Sequence, residues 1–138
     1  MNRFVLDASV VMTWCFPDES AQKALEVSEQ IANGTRILVP AFWPHEVLSA
    51  LLVGERRKRL TPELSAAFIA DLSRLPVDLD ELTAAAVVFD ATQALCRKHG
   101  LTPYDAAYLE IALRSGCALA TVDADLQRAA LAEKIPVL

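Results

Sequence analysis

Residues 3–7 read Arg3-Phe4-Val5-Leu6-Asp7, three β-favouring apolar residues in a row stopped by a carboxylate. A short continuous apolar run suits a strand covered on both faces, because no polar alternation marks a wet side. Asp is depleted in strands, and Asp7 lies between Leu6 and Ala8 with no evident capping duty. The same pattern of strand and acid recurs twice. Arg36-Ile37-Leu38-Val39 ends at Pro40 and leads to Glu46, and Ala118 to Thr121 leads to Asp123.

Working outward from these runs, periodicity and punctuation predict an alternating chain. Pro17-Asp18-Glu19-Ser20 reads as a turn, followed by a helix over Ala21 to Ala32 that Asn33-Gly34 stops. Pro44 suits the first turn of a helix reaching about Arg59, and Thr61-Pro62-Glu63 opens another that ends near Leu75. A short strand is expected at Val77 to Leu79, then one long helix from about Glu81 to Lys98, closed by Gly100. Thr102-Pro103 opens the next helix. A helix from about Ala124 to Ala132 and a terminal strand at Pro136-Val137 complete the series. Strands separated by helices, without a hairpin signal, predict an α/β fold with a mostly parallel sheet covered on both faces. In such sheets functional groups gather beyond the carboxyl ends of the strands.

The chain has 138 residues, the size of a single domain spanning 1–138. It is 54% apolar with a net charge of −5, which argues against disorder and, taken as a whole-chain average, against a sequence-independent nucleic-acid binder. No apolar stretch approaches the ~20 residues of a membrane span, and Asp7 interrupts the N-terminal apolar run too early for a signal peptide. A cytoplasmic protein with no membrane contact is expected. Cys15, Cys96 and Cys117 are widely spaced among apolar neighbours and read as reduced core residues. His45 and His99 stand alone, which disfavours zinc.

Four acids, Asp7, Glu46, Asp105 and Asp123, fall where strands end or helices begin. Three have a plainer reading. Asp105 stands three residues after Thr102, the spacing of a capping box, and Glu46 lies in a first turn where acids meet the helix dipole. Asp123 suits an N-cap, with Asp125 a solvated acid behind it. If the four converge at one sheet edge, however, their mutual repulsion calls for a cation among them. An all-oxygen acidic cluster without His suits Mg²⁺ or Mn²⁺.

Other chemistries fit less well. Position 9 is Ser, which denies the second Asp of a phospho-aspartate site, and the four glycines are too scattered for a Walker or dinucleotide loop. A Ser-His-Asp arrangement would have to recruit Ser9 with His45 or His99, and His99 sits where a helix cap is expected.

The segments FVLDASVVMTWCFPDE (4–19), VPAFWPHEVLSALLVGERRKRLT (39–61), LTPYDAAYLEIALRSG (101–116) and LATVDADL (119–126), in this order and spacing, resemble the PIN-domain ribonucleases of the VapC toxin family, from type II toxin-antitoxin systems. The likeness covers essentially the whole chain. It implies a three-layer α/β/α PIN-like fold with a short parallel sheet and an acidic pocket for Mg²⁺, with Mn²⁺ able to substitute. Carried over, the catalytic and metal-binding acids are Asp7, Glu46, Asp105 and Asp123, with Ser9, Thr121 and Asp125 supporting them. The chain departs from many relatives in having Ser49 where they have Asn. The implied activity is endonucleolytic cleavage of RNA by metal-activated water. The implied partners are a small VapB-like antitoxin and a second copy in a homodimer. A non-catalytic binding module and a DNA-directed nuclease are the alternative readings. Arg56-Arg57-Lys58-Arg59 is the clearest basic run for RNA, though the same cations would complement a helix C-terminus; Lys98, Arg97 and Arg114 are further phosphate candidates. Each divalent ion in the pocket would offset two of the excess negative charges, so the average charge conceals a local site.

Overall fold

Strand β1, Arg3–Leu6, runs through the sheet interior, and its apolar residues all bury. Phe4, Val5 and Leu6 alternate between the two faces yet none is more than 2% exposed, so helices cover the sheet on both sides. The computed structural model describes residues 2–16 and 20–138. The turn expected at Pro17-Asp18-Glu19 lies outside those residues.

The other strands are β2 (Arg36–Pro40), β3 (Val77–Asp80) and β4 (Ala118–Ala120). All pair in parallel in the order β3-β2-β1-β4. The chain therefore builds outward from β1 through β2 to β3, then returns to the other side of β1 with β4. The reversal places a crevice beyond the carboxyl ends of β1 and β4, where open α/β sheets bind their ligands. Pairing continues one residue past β1, where the Asp7 N–H donates to the Ala120 carbonyl at 3.0 Å. The expected terminal strand is reduced to an isolated parallel bridge between Leu119 and Val137.

Helix α1, Ala8–Cys15, follows β1 directly and was not expected. Its sequence, ASVVMTWC, is rich in β-branched residues of low helix propensity. Packing overrides that preference, since Val10 and Val11 are fully buried and the Thr13 hydroxyl donates to the Ser9 carbonyl one turn back at 3.1 Å. Helix α2 (Ala21–Ala32) packs on α1, as does α3 (Trp43–Arg56). Helix α3 stops at Arg56 rather than Arg59, because Lys58 takes a left-handed conformation with φ 60°. Helix α4 (Pro62–Leu72) starts as expected, with the Thr61 hydroxyl accepting from the Leu64 N–H, and ends three residues short of Leu75.

The long helix expected from Glu81 is shorter and broken. It comprises α5 (Ala85–Val87), a π turn over Val88–Thr92, and α6 (Gln93–His99). Residues 81–84 stay outside the helix, where the Asp80 carboxylate accepts from the Leu82 N–H and the Thr83 hydroxyl, local bonds that compete with helical geometry. Gly100 closes α6 and Gly116 closes α7 (Pro103–Ser115), each in the left-handed conformation that an L side chain resists. Helix α7 packs across β1, β2 and β4 and against α6 and α8, the last being Ala124–Ala132.

Leu51 lies on the inner face of α3 and has no exposed surface. Leu51→Ala is expected to lower the unfolding free energy by about 2–5 kcal/mol in urea titration. A loss below about 1 kcal/mol would mean that this face of α3 is not packed as described.

Candidate active site

Asp7 occupies the N-cap position of α1, yet its side chain bonds no helix N–H. Its Oδ2 instead accepts from the Ser9 hydroxyl and the Thr121 hydroxyl, both at 2.7 Å. The network extends into the backbone after β4. Ser9 Oγ accepts from the Val122 N–H at 3.2 Å, and Thr121 Oγ1 accepts from the Asp123 N–H at 3.0 Å. Only 5% of Asp7 is exposed. One buried carboxylate oxygen thus joins the end of β1 to the loop after β4.

The other acids approach from helix N-termini. Glu46, in the first turn of α3, accepts through Oε1 from the Tyr108 hydroxyl at 2.5 Å. Tyr108 is fully buried on α7, one turn after Asp105. The Asp105 N–H donates to Thr102 Oγ1 at 3.3 Å, half of the expected capping box. Asp123 caps α8, its Oδ1 accepting from the Leu126 N–H at 2.9 Å. The capping readings of Asp105 and Asp123 therefore hold in the backbone geometry, and they coexist with the clustering. Asp125 is exposed and pairs with Arg128.

Electrostatics links the four acids. Burial pushes the Asp7 carboxyl up, against the hydrogen bonds from Ser9 and Thr121, and the Asp123 charge raises it further. Burial also raises Glu46; the Tyr108 hydrogen bond opposes this, while the charges of Asp7 and Asp105 add to it. Asp105 is raised by burial and then by Asp7, Asp123 and Asp125, with Thr102 opposing. No cation appears among the influences on these three groups. Burial and the bond to Glu46 push the Tyr108 hydroxyl far above its ordinary range, so it remains a donor.

This donor set is all oxygen, which fits a hard divalent ion. Among the described residues, no three His, Cys, Asp or Glu side chains are grouped so that they could hold a metal ion by themselves. Mg²⁺ and its relatives keep several waters and use one or two carboxylates together with substrate phosphate oxygens.

Several candidates from the sequence are committed elsewhere. Arg114 is no free phosphate contact: it donates to Asp80 and Glu110. Lys98 and His99 both reach Glu133 at 2.7 Å, and Ser9 is held by Asp7, so a Ser-His-Asp assembly does not form. In the basic run, the Arg59 guanidinium stacks 4.3 Å over the Phe16 ring; Arg56 ends α3, and Arg57 and Lys58 follow in the turn. The residue that sequence reasoning passed over is Tyr108. Its signal was available in the phenol three positions after Asp105, on the same helix face.

A carboxyl whose pKa is raised by folding costs stability while it is ionised. The cost is present above the folded pKa and disappears as pH falls through that value toward the unfolded one. Metal-free Asp7→Asn, which keeps an acceptor oxygen for the two hydroxyls, is expected to melt above the metal-free wild type at neutral pH. The difference should shrink on acidification, as measured by calorimetric Tm in chelator. A lower Tm for the variant at every pH would refute the burial cost assigned to Asp7.

Known proteins share this chain's pattern and fold. A profile of the PIN domain matches residues 4–131. Ribonuclease VapC3 of Pyrobaculum aerophilum is 32% identical over 136 residues, spanning 99% of this chain and 97% of that protein. The solved structure of VapBC2 from Rickettsia felis, bound to a DNA fragment from their promoter, superposes with a TM-score of 0.68 at 11% identity, covering 99% of this chain and 97% of that one. FitAcB from Neisseria gonorrhoeae superposes with a TM-score of 0.64 at 15% identity, covering 98% and 96%. At such identities the two structures speak to the fold alone. The near-complete matches in sequence establish that the chain belongs to the PIN-domain family, among its VapC-like ribonucleases.

Proposed function

We propose that this protein is the toxin of a type II toxin-antitoxin pair, an endoribonuclease that cuts RNA phosphodiesters with Mg²⁺ or Mn²⁺ held by Asp7, Glu46, Asp105 and Asp123. The observation that carries this reading is the convergence of acids at the sheet's reversal point, where the buried Asp7 and the half-buried Glu46 and Asp105 are each pushed upward by a neighbouring carboxylate. When bound, the ion supplies Lewis acidity, making a water more acidic and offsetting charge on the phosphate. The chain's own residues do the positioning. Ser9 and Thr121 fix Asp7 by donating to one of its oxygens, which keeps that carboxylate ionised more readily than burial alone would allow. Tyr108 orients Glu46 in the same way, by donating to Oε1. Asp105 and Asp123 stand at helix N-termini, facing the positive ends of the helix dipoles. With each acid held before substrate arrives, little reorganisation remains for the reaction itself.

Two features support an antitoxin partner. An apolar groove of about 470 Å³ lies between α3, α4 and β3, lined in part by Trp43, Leu48, Ile69 and Leu72. Ribonuclease VapC3 and the VapBC2 complex carry the names of such a system, which is consistent with a VapB-like partner here.

Asp105→Asn is expected to reduce Mg²⁺-dependent RNA cleavage by about 10²-fold or more in the purified, folded protein. Sequencing of RNA ends after expression of the wild type and the variant would identify the target in the same experiment. Cleavage at the wild-type rate by the folded variant would refute the assignment; cleavage of DNA in place of RNA would favour the nuclease of the other substrate class.

A further inference from the structure

Tyr104 is the second residue of α7, immediately before Asp105, and 60% of it is exposed. It lines an open depression of about 450 Å³ together with Phe42, His45, Glu46, Ser49 and Ala50. Phe42 is the N-cap of α3, and His45, Glu46 and Ser49 follow it at three, four and seven positions, which puts them on one helix face. The depression therefore lies between that face and the start of α7. One of the four acids, Glu46, is part of its lining.

The Tyr104 ring is braced by its neighbours. Phe42 meets it at 86° with 5.3 Å between centroids, and Phe42 also meets the buried Tyr108 at 89° and 5.9 Å. Tyr108 in turn donates to Glu46. A row of three rings in edge-to-face contact thus runs from the core to the surface beside this carboxylate. An edge-to-face contact covers at most one face of either ring, so whichever ring supplies the edge, a face of Tyr104 stays clear of Phe42. A ring already held this way loses little conformational freedom when something stacks on it. A phosphate in the depression would be repelled by Glu46, whereas a base carries no charge and presents a π-face.

We propose that Tyr104 is a stacking platform for one unpaired base of the RNA, the base next to the phosphodiester that enters the acidic crevice. The proposal rests on the ribonuclease reading above. Recognition of single-stranded RNA commonly stacks splayed bases on aromatic side chains. Every base has a π-face, so the platform sets the position of the strand and not its sequence. Because Tyr104 and Asp105 are consecutive, a base stacked on the first brings its own flanking phosphate to the second.

The test uses a single-stranded RNA with a mapped cut and a set of copies that each lack the base at one position near it. With Mg²⁺, wild-type kcat/KM is expected to fall about tenfold for one abasic position beside the break and little for the others. Tyr104→Ala should lose about tenfold on the intact RNA and nothing further on that abasic copy, while Tyr104→Phe, which keeps the ring, should match the wild type. Exchanging the base at that position should matter less than removing it. A merely structural role for Tyr104 would not tie its loss to one base. Absence of a position-specific abasic effect in the wild type, which needs no variant to fold, would overturn the proposal. So would a Tyr104→Ala protein that still responds to the missing base, or one that cuts intact RNA at the wild-type rate and so leaves the ring to a protein partner. Fluorescence anisotropy of the intact RNA in chelator separates the two readings. Binding that is weakened by Tyr104→Ala but kept by Tyr104→Phe, in a protein that cuts no RNA, would sink the ribonuclease reading and leave the platform standing.

Discussion

The two hydroxyls that donate to Asp7 Oδ2 connect the parts of this molecule on which everything else depends. Ser9 lies in the first turn of α1 and Thr121 just after β4, so their shared acceptor pins the crevice where the strand order reverses. The interaction also fixes the electrostatic problem. Hydrogen bonds favour the ionised carboxylate, while burial and the neighbouring acid disfavour it. A buried acid held between these opposing effects is poorly placed as a merely structural group, since an apolar residue would fill the same space without a desolvation cost.

The fold brings the remaining acids to this point by three separate routes. Parallel strands end on one edge, helices begin there, and first-turn or capping acids therefore converge without any local sequence relation. Glu46 comes from the helix after β2, Asp105 from α7 and Asp123 from the helix after β4. On the neighbouring side, the Asp80–Arg114–Glu110 group ties the end of β3 to α7, and Asp80 also accepts from the Leu82 N–H and the Thr83 hydroxyl.

Much of this was legible in the residues. The apolar runs at Phe4–Leu6 and Ile37–Val39 announced buried parallel strands, and Gly100 announced the end of α6. What escaped was set by tertiary contacts. Val10, Val11 and Thr13 made α1 look unlike a helix, because the stabilisation comes from burial rather than propensity. Arg114 looked available for phosphate because its two acidic partners lie 4 and 34 residues away, and only folding aligns them. The acids themselves were visible, since each stood at an element boundary, and so was their mutual repulsion on convergence; the hydroxyls and the phenol that hold Asp7 and Glu46 were not. Tyr108 is instructive: a phenol on an apolar stripe reads as core, and it is core, yet its hydroxyl also orients Glu46.

The central claim is that this acidic crevice exists to hold a divalent cation, and calorimetric titration of Mn²⁺ tests it most directly. Carboxylate ligands must be deprotonated to bind, and the carboxyls of Asp7, Glu46 and Asp105 are all shifted upward. Saturable binding at neutral pH is therefore predicted, weakening as the solution is acidified and lost in Asp7→Asn. Absence of binding to the wild type, or undiminished binding to Asp7→Asn, would contradict the account.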